Sequence, residues 1–309
     1  VQHPGSDDEA VKASLEGEGP PPGAESVPAR LADLQAVLVA GREGHLGGDG
    51  AESFMPAGFN PAGFNPDNGV VLMGHSLGGL AALMAAGLVP ESGLAQRCDQ
   101  ALTALPLTNL SRLLQCQLPA ITGDGGSFAR DPAPSASPPS LEGMPLRGVV
   151  TYNGFGSLLW PQRGLAPLSV PVLMVGGSLD LITPPVQEQL ALLASSGDPG
   201  SRLVLVEGGS HFSPVRLQVD GRALFQLGQE LVGEEPELVQ ALLLQLTLEF
   251  LESTQYPALL SAQRRDHGGL SAYVLDPAAA RRWRDALPLP PTPLRSARGG
   301  RAAPPAGPP

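Results

Sequence analysis

The chain has 309 residues, a formal net charge of −11 and 42% hydrophobic residues, which is enough apolar material for one sizeable core. An acidic body repels phosphates, so nucleic acid is excluded as a partner, and Lys12, the only lysine, does not follow a glycine as a phosphate loop requires. No uninterrupted apolar run is long enough to predict a transmembrane segment.

Several segments have the composition of insertions or linkers. Residues 7–28 are acidic and rich in Pro and Gly, residues 41–69 are rich in Gly, and residues 117–146 combine Gly, Ser and Pro. The Leu-containing segment 91–146 is a candidate lid that could hold an acyl group. One domain is therefore expected over residues 1–286, followed by a disordered Pro- and Arg-rich tail over 287–309.

The first chemically informative segment starts with the apolar run Val70 to Met73, which is typical of a buried strand. It runs into Gly74-His75-Ser76-Leu77-Gly78 and then into a small-residue helix predicted from Leu77 to Val89. A Gly-x-Ser-x-Gly turn between a strand and a helix predicts a nucleophile elbow that exposes the Ser76 hydroxyl. We expect Gly74 and Gly78 to be small because strand and helix pass too close for a Cβ at either place. The alternative is an ordinary Gly-rich turn, because a chain with glycine at 39 of 309 positions can contain this motif by chance.

Two later strands each lead to a polar residue. Val170 to Val175 runs into Asp180, Leu203 to Val206 runs into His211, and a strand is also expected from Gly148 to Tyr152. Because the carboxyl ends of parallel strands meet at one edge of a sheet, Asp180 and His211 are predicted to lie near Ser76. The order Ser, Asp, His is that of a hydrolase triad on this kind of sheet.

Each assignment has an alternative. Asp180 could cap the segment that follows it, and Glu207 competes as the acid, although it precedes His211 by only four residues. The side chain of His75 is expected to point away from the base and to pack. The remaining histidines lie in polar or Gly-rich loops and need no function: His3, His45 and His267.

The span from Arg30 to about Leu260 resembles bacterial, notably cyanobacterial, α/β-hydrolases labelled as predicted dienelactone hydrolases. The matching residues occur in the same order in both: Arg30 with Asp33, Gly74-His75-Ser76-Leu77-Gly78-Gly79, Asn109-Leu110-Ser111, Leu114-Gln115-Cys116, Asn153-Gly154-Phe155-Gly156, Pro171 to Asp180, Glu188-Gln189 and Gly209-Ser210-His211-Phe212-Ser213.

This resemblance implies an α/β-hydrolase fold, with a mostly parallel sheet flanked by helices, and the cleavage of a small-molecule carboxylic ester. Ser76 would be the nucleophile, His211 the general base and acid, and Asp180 the residue that orients His211. The backbone N–H of Leu77 would supply one oxyanion-hole donor. No metal or other cofactor is implied.

The resembling family marks the second oxyanion donor with a His-Gly pair upstream of the elbow, and no such segment precedes Ser76 here. Residues 1–6 resemble the end of the family's fourth strand, so a truncated product that lacks the first strands is expected. Loss of that donor suggests one alternative, a catalytically impaired binding protein. A thioesterase or acyltransferase that uses the same three residues is another. His267-Gly268-Gly269 imitates the missing pair but is predicted to form a turn.

Cys98 and Cys116 are the only cysteines and have no metal-binding spacing. A disulfide in an exported protein and two reduced thiols both remain open. The compartment, cytoplasmic or exported, is not predicted from these residues, and neither is the oligomeric state.

Overall fold

A computed structural model of the protein describes residues 3, 10, 13, 17–18, 23–43, 68–103, 109–118, 141, 144–215, 235–255 and 260–287. Its centre is a six-stranded sheet in the order β1-β2-β3-β4-β6-β5. The strands are β1 (Val70–His75), β2 (Leu146–Tyr152), β3 (Val172–Gly177), β4 (Arg202–Val206), β5 (Arg264–His267) and β6 (Leu270–Leu275). The first four are parallel, whereas β6 pairs antiparallel with both β4 and β5. The predicted mostly parallel sheet is confirmed.

Seven α-helices alternate with or flank the strands in the part of the chain that the structure describes. They are α1 (Val27–Arg42), α2 (Leu77–Ala85), α3 (Leu94–Thr103), α4 (Ser111–Gln115), α5 (Gln189–Leu193), α6 (Pro236–Gln255) and α7 (Pro277–Ala286), with a 3-10 turn at Ala24–Ser26 before α1. Helix α1 therefore begins inside the stretch 7–28 that its composition assigned to a linker.

The core forms on both faces of the sheet, because side chains of a strand alternate between faces. On β3, Val172 and Met174 join the cluster that includes α2, whereas Leu173 and Val175 join the cluster that includes α6. All six residues of β3 are buried. Both faces are thus covered, and the apolar runs of the parallel strands follow from that.

The end of α2 differs from the prediction, which extended the helix to Val89. Gly87 has φ +106°, a conformation that ends a helix and that glycine adopts without a steric penalty. The N–H of Leu88 donates to the carbonyl of Leu83, and the N–H of Gly87 donates to the carbonyl of Met84. These two bonds satisfy the last carbonyls of α2 and stop it at Ala85.

One other local prediction agrees with the structure. The turn at Gly268-Gly269 joins β5 and β6 as a hairpin, and both glycines have positive φ. Helix α6 buries an apolar face made of Val239, Leu242, Leu243, Leu246 and Phe250. Within the described residues, none of the helices combines the length and the apolarity needed to span a bilayer.

Cys98 of α3 and Cys116 just after α4 form a disulfide, which decides between the two states that the sequence left open. The bond ties together two helices of the segment 91–146. Most of the remainder of that candidate lid and almost all of the predicted tail 287–309 lie outside the described residues.

Candidate active site

The three residues selected from the sequence meet at one edge of the sheet. Ser76 follows β1 directly, Asp180 lies in the loop after β3, and His211 lies in the loop after β4. The Nε2 atom of His211 is 3.0 Å from Ser76 Oγ, and its Nδ1 atom is 2.9 Å from Asp180 Oδ2. Asp180 and His211 are each only 3% exposed. A continuous hydrogen-bonded chain therefore runs from a hydroxyl through an imidazole to a carboxylate.

The elbow places Ser76 in an unusual backbone conformation, with φ +52° and ψ −118°. Its N–H donates to the carbonyl of Tyr152 at 2.9 Å, and its carbonyl accepts from the N–H of Leu80 at 3.1 Å. The turn is thus fixed on one side by β2 and on the other by the first turn of α2. Positive φ at a residue other than glycine commonly marks functional turns of this kind.

The two motif glycines do not share the reason predicted for them. A Cβ on Gly74 would overlap the main chain of Gly78, as expected, but a Cβ on Gly78 would have no atom within 4 Å. The close approach instead involves Gly79, where a Cβ would lie 3.2 Å from the carbonyl oxygen of Gly74 and 3.3 Å from Gly154 Cα. The prediction for Gly78 was wrong because the helix presents its backbone, and not the Cβ position of Gly78, to the strand.

Asp180 is held by more than its histidine. Its Oδ1 accepts from the N–H groups of Ile182 at 2.9 Å and Thr183 at 2.8 Å, and its Oδ2 accepts from the Thr183 hydroxyl at 2.6 Å. Burial acts to raise the pKa of Asp180, but the hydrogen bonds from His211 and Thr183 outweigh it and hold the pKa below its ordinary value. Asp180 therefore caps its own loop and contacts His211, so the two interpretations of this residue are compatible. The competing Glu207 is exposed.

The hydrogen-bond partners assign the His211 tautomer. A charged carboxylate only accepts, so the proton of neutral His211 lies on Nδ1 and points to Asp180. The lone pair of Nε2 then faces the hydroxyl of Ser76. This is the tautomer in which an imidazole can take a proton from serine.

His75 does not point away from the base, contrary to the expectation. Its Nε2 donates to the main-chain carbonyl of His211 at 2.7 Å, and the two rings are 5.0 Å apart between centroids. Burial and the neighbouring His211 lower the pKa of His75 from 6.5 to about 4. His75 is therefore neutral near pH 7 and donates through Nε2.

The other histidines lie elsewhere. His3 is hydrogen-bonded to Asp33 of α1 at 2.8 Å, His267 ends β5, and His45 lies outside the described residues.

Sequence reasoning assigned no role to two polar residues that contact the triad loops. Thr183 belongs to no motif, and Asn153 is only one of the residues that carry the resemblance. Asn153 is fully buried, and its Nδ2 donates to the carbonyls of Ser210 at 3.0 Å and His211 at 2.7 Å. The available signal was its position, since an Asn-Gly pair follows β2 at the same edge as the triad.

A second buried cluster surrounds Glu188, which precedes α5. Its Oε2 accepts from the N–H groups of Gly156 and Ser157, both at 2.9 Å. Its Oε1 accepts from the side chains of Ser111 and Gln115 of α4, of Asn109 two residues before that helix, and of Ser157. This carboxylate joins α4 to the loop after β2, next to Asn153. The part of the chain that is described contains no group of three or more His, Cys, Asp or Glu side chains able to hold a metal ion.

The sequence matches the family model described as Alpha/beta hydrolase family over residues 10–227. The chain belongs to the alpha/beta hydrolase family. The match contains Ser76, Asp180 and His211, whereas the β5–β6 hairpin and α7 follow it. No curated protein matches the chain. As a member of this family the protein is a hydrolase, on a fold whose ligand sites lie at the carboxyl edge of the sheet.

Proposed function

We propose that this alpha/beta hydrolase is a serine hydrolase that cleaves carboxylic esters through an acyl-enzyme on Ser76. The observation that carries the proposal is the chain of contacts from Ser76 Oγ to His211 Nε2 at 3.0 Å and from His211 Nδ1 to Asp180 Oδ2 at 2.9 Å. A serine hydroxyl becomes an effective nucleophile when an adjacent base takes its proton, and a third group keeps that base oriented.

In the first step, Ser76 Oγ attacks the ester carbonyl while its proton moves to His211 Nε2. The tetrahedral intermediate collapses, the C–O bond to the alcohol breaks, and the proton on Nε2 passes to the leaving alkoxide. Water then attacks the acyl-serine, gives a proton to the same Nε2, and the carboxylic acid leaves as Ser76 regains its hydrogen.

Asp180 contributes by remaining charged. Four hydrogen bonds from His211, Ile182 and Thr183 stabilise its carboxylate form, which in turn stabilises the imidazolium that forms in both steps. The first N–H of α2, that of Leu77, has no intrahelical acceptor and is the proposed oxyanion donor. Removal of one oxyanion-hole donor typically lowers kcat by about a hundredfold to thousandfold.

A fluorophosphonate probe tests whether Ser76 is activated. We expect rapid labelling of Ser76 in the folded protein, far slower labelling after denaturation, and none in Ser76→Ala. Ser253→Ala, which removes a hydroxyl on α6 away from the triad, serves as the matched control and keeps the labelling. Equal labelling of folded and denatured protein would favour the impaired binding protein.

Turnover tests the substrate class. p-Nitrophenyl esters are expected to be hydrolysed by the wild-type protein and by Ser253→Ala, and Ser76→Ala is expected to lose at least about a thousandfold in kcat. A panel that pairs each acyl group as an oxygen ester and as a thioester separates the esterase from a thioesterase. Turnover confined to thioesters would overturn the ester assignment while leaving the serine mechanism intact.

A further inference from the structure

Three loops of the candidate site converge on the short segment that follows β2. The carbonyl of Tyr152 accepts from the N–H of Ser76 at 2.9 Å, which joins this segment to the elbow. The next residue, Asn153, donates its own N–H to the carbonyl of Val175 on β3 at 2.8 Å. The segment is therefore anchored to the strands that carry both the nucleophile and the acid.

Asn153 also contacts the acid loop and the histidine loop. The hydroxyl of Thr183 lies 3.2 Å from the Asn153 carbonyl oxygen and 2.6 Å from Asp180 Oδ2. Both hydrogens of the Asn153 amide are used on two consecutive carbonyls of the histidine loop, those of Ser210 and His211. One residue thus contacts the main chain of the base and the hydroxyl that holds the acid.

The carbonyl of His211 accepts a second hydrogen bond, from the side chain of His75. His75 Nε2 lies 2.7 Å from the same oxygen that Asn153 Nδ2 contacts at 2.7 Å. A carbonyl oxygen has two lone pairs, so these two donors saturate it. With its main chain fixed by His75 and Asn153 and its Nδ1 fixed by Asp180, the His211 ring keeps little freedom to leave Ser76.

We propose that Asn153 is a positioning residue for the general base, and that His75, adjacent to the nucleophile, is its partner on the same carbonyl. The inference rests on the proposed function, because it assigns a task to residues around a catalytic His211. Proton transfer needs donor and acceptor within hydrogen-bond distance, and small displacements of a catalytic group cost large factors in rate. The two donors act on kcat by holding His211 Nε2 at Ser76.

The backbone of Asn153 provides a way to separate positioning from folding. Its φ is +49°, a conformation that strains most residues but not glycine. Asn153→Gly therefore removes both amide donors and at the same time relieves the backbone, so that the loss of stability is partly offset. If Asn153 served the fold alone, glycine would be tolerated without a loss of turnover.

The experiment compares four variants with the wild-type protein and a control. Asn153→Gly and Asn153→Asp remove the donors, and the second places a carboxylate against two carbonyl oxygens. His75→Gln keeps an N–H donor without the ring, whereas His75→Phe keeps a ring without the donor. The control is Thr151→Val, a substitution of similar shape on β2 at a buried hydroxyl that has no hydrogen-bond partner among the described residues.

For each variant, kcat and KM for a p-nitrophenyl ester, the rate of fluorophosphonate labelling at Ser76 and the Tm are measured. We expect Asn153→Gly to lower kcat and the labelling rate about tenfold, with little change in KM. A tenfold loss of rate corresponds to about the free energy of one buried hydrogen bond. Asn153→Asp is expected to lose more. His75→Phe should also lower kcat and the labelling rate, and His75→Gln should lower them less. Thr151→Val should have the kcat and labelling rate of the wild-type protein.

Three outcomes would count against all or part of the inference. If Asn153→Gly keeps kcat while its Tm falls, Asn153 is structural and the inference is overturned, although the proposed function stands. Equal kcat values and labelling rates in His75→Gln and His75→Phe would show that His75 has no part in positioning His211. If the wild-type protein shows no Ser76-dependent turnover or labelling, the proposed function fails and the inference falls with it. Should Asn153→Asp fail to fold, Asn153→Gly and the His75 pair still decide.

Discussion

A Cβ atom on Gly74 would overlap the main-chain carbonyl of Gly78, whereas a Cβ on Gly78 would meet no atom within 4 Å. The two glycines of the elbow motif are therefore under different constraints. The strand needs glycine at 74 because the backbone of α2 crosses directly over it. At 78, in the first turn of that helix, the side-chain position is open.

Alanine at the two positions should accordingly have opposite effects. Gly74→Ala must push α2 away from β1. We expect it to lower the unfolding free energy by several kcal/mol, as severe overpacking of a core does, and to abolish turnover. Gly78→Ala fills open space and gains helix propensity, so we expect stability unchanged or raised by up to about 1 kcal/mol. Urea unfolding with an ester assay measures both. Loss of stability in Gly78→Ala comparable to that in Gly74→Ala would contradict the assignment.

The buried His75 predicts a pH dependence of stability. Burial and His211 lower its pKa from 6.5 to about 4, so between these values the unfolded chain binds a proton that the folded protein does not. Its contribution is complete above about pH 6.5 and is lost as the pH falls toward 4. The full shift corresponds to about 3 to 4 kcal/mol of unfolding free energy. Asp180 titrates below this window, because its pKa lies under its ordinary 3.8.

His75→Gln isolates this effect, because glutamine keeps a donor for the His211 carbonyl but does not titrate. We expect the unfolding free energy of the wild-type protein to drop by about 2 kcal/mol more than that of His75→Gln between pH 7 and pH 4.5. Denaturant unfolding at the two pH values measures the difference. Parallel pH curves for the two proteins would show that His75 is not held neutral.

The triad could be predicted from sequence because each member follows a recognisable pattern. Ser76, Asp180 and His211 each come after an apolar run, and parallel strands bring such positions to one edge irrespective of the packing details. The roles of His75 and Asn153 depend on something that patterns do not contain, namely which carbonyl a side chain reaches across 136 and 58 residues of chain. A tertiary hydrogen bond of this kind has no periodicity.

The glycines show the same limit in another form. The motif correctly marks the turn, but it does not show which glycine must lack a Cβ. Gly74 must, because its Cβ would overlap the main chain of Gly78, whereas a Cβ on Gly78 has room. The β5–β6 hairpin was expected only as a turn at Gly268-Gly269. Its strand Arg264–His267 is short and charged, so no apolar alternation marks it as part of the sheet.

The disulfide between Cys98 and Cys116 predicts a redox-sensitive stability. The bond closes a loop with a sequence separation of 18, for which restriction of the unfolded chain is worth about 3 kcal/mol. We expect a reducing agent to lower the urea midpoint of the wild-type protein. The double variant Cys98→Ala/Cys116→Ala is the control, since it should start lower and be insensitive to the reductant. An unchanged midpoint for the wild-type protein on full reduction, checked by thiol titration, would contradict this.

The Glu188 cluster predicts a large effect from a small chemical change. All groups around this buried carboxylate donate to it, including the two backbone N–H groups of Gly156 and Ser157. Glu188→Gln replaces one acceptor oxygen by an NH2 group, which leaves donors facing donors away from water, and about 3 kcal/mol of unfolding free energy should be lost.

The matched control for this change is Glu252→Gln on α6, where the side chain is exposed and the effect should stay within about 0.5 kcal/mol. Urea unfolding compares the two variants with the wild-type protein at pH 7. Since the cluster lies beside Asn153, we also expect Glu188→Gln to lower kcat for the p-nitrophenyl ester in the fraction that remains folded, and Glu252→Gln to leave it unchanged. Equal stabilities of the two variants would mean that the six contacts do not act on a charged carboxylate.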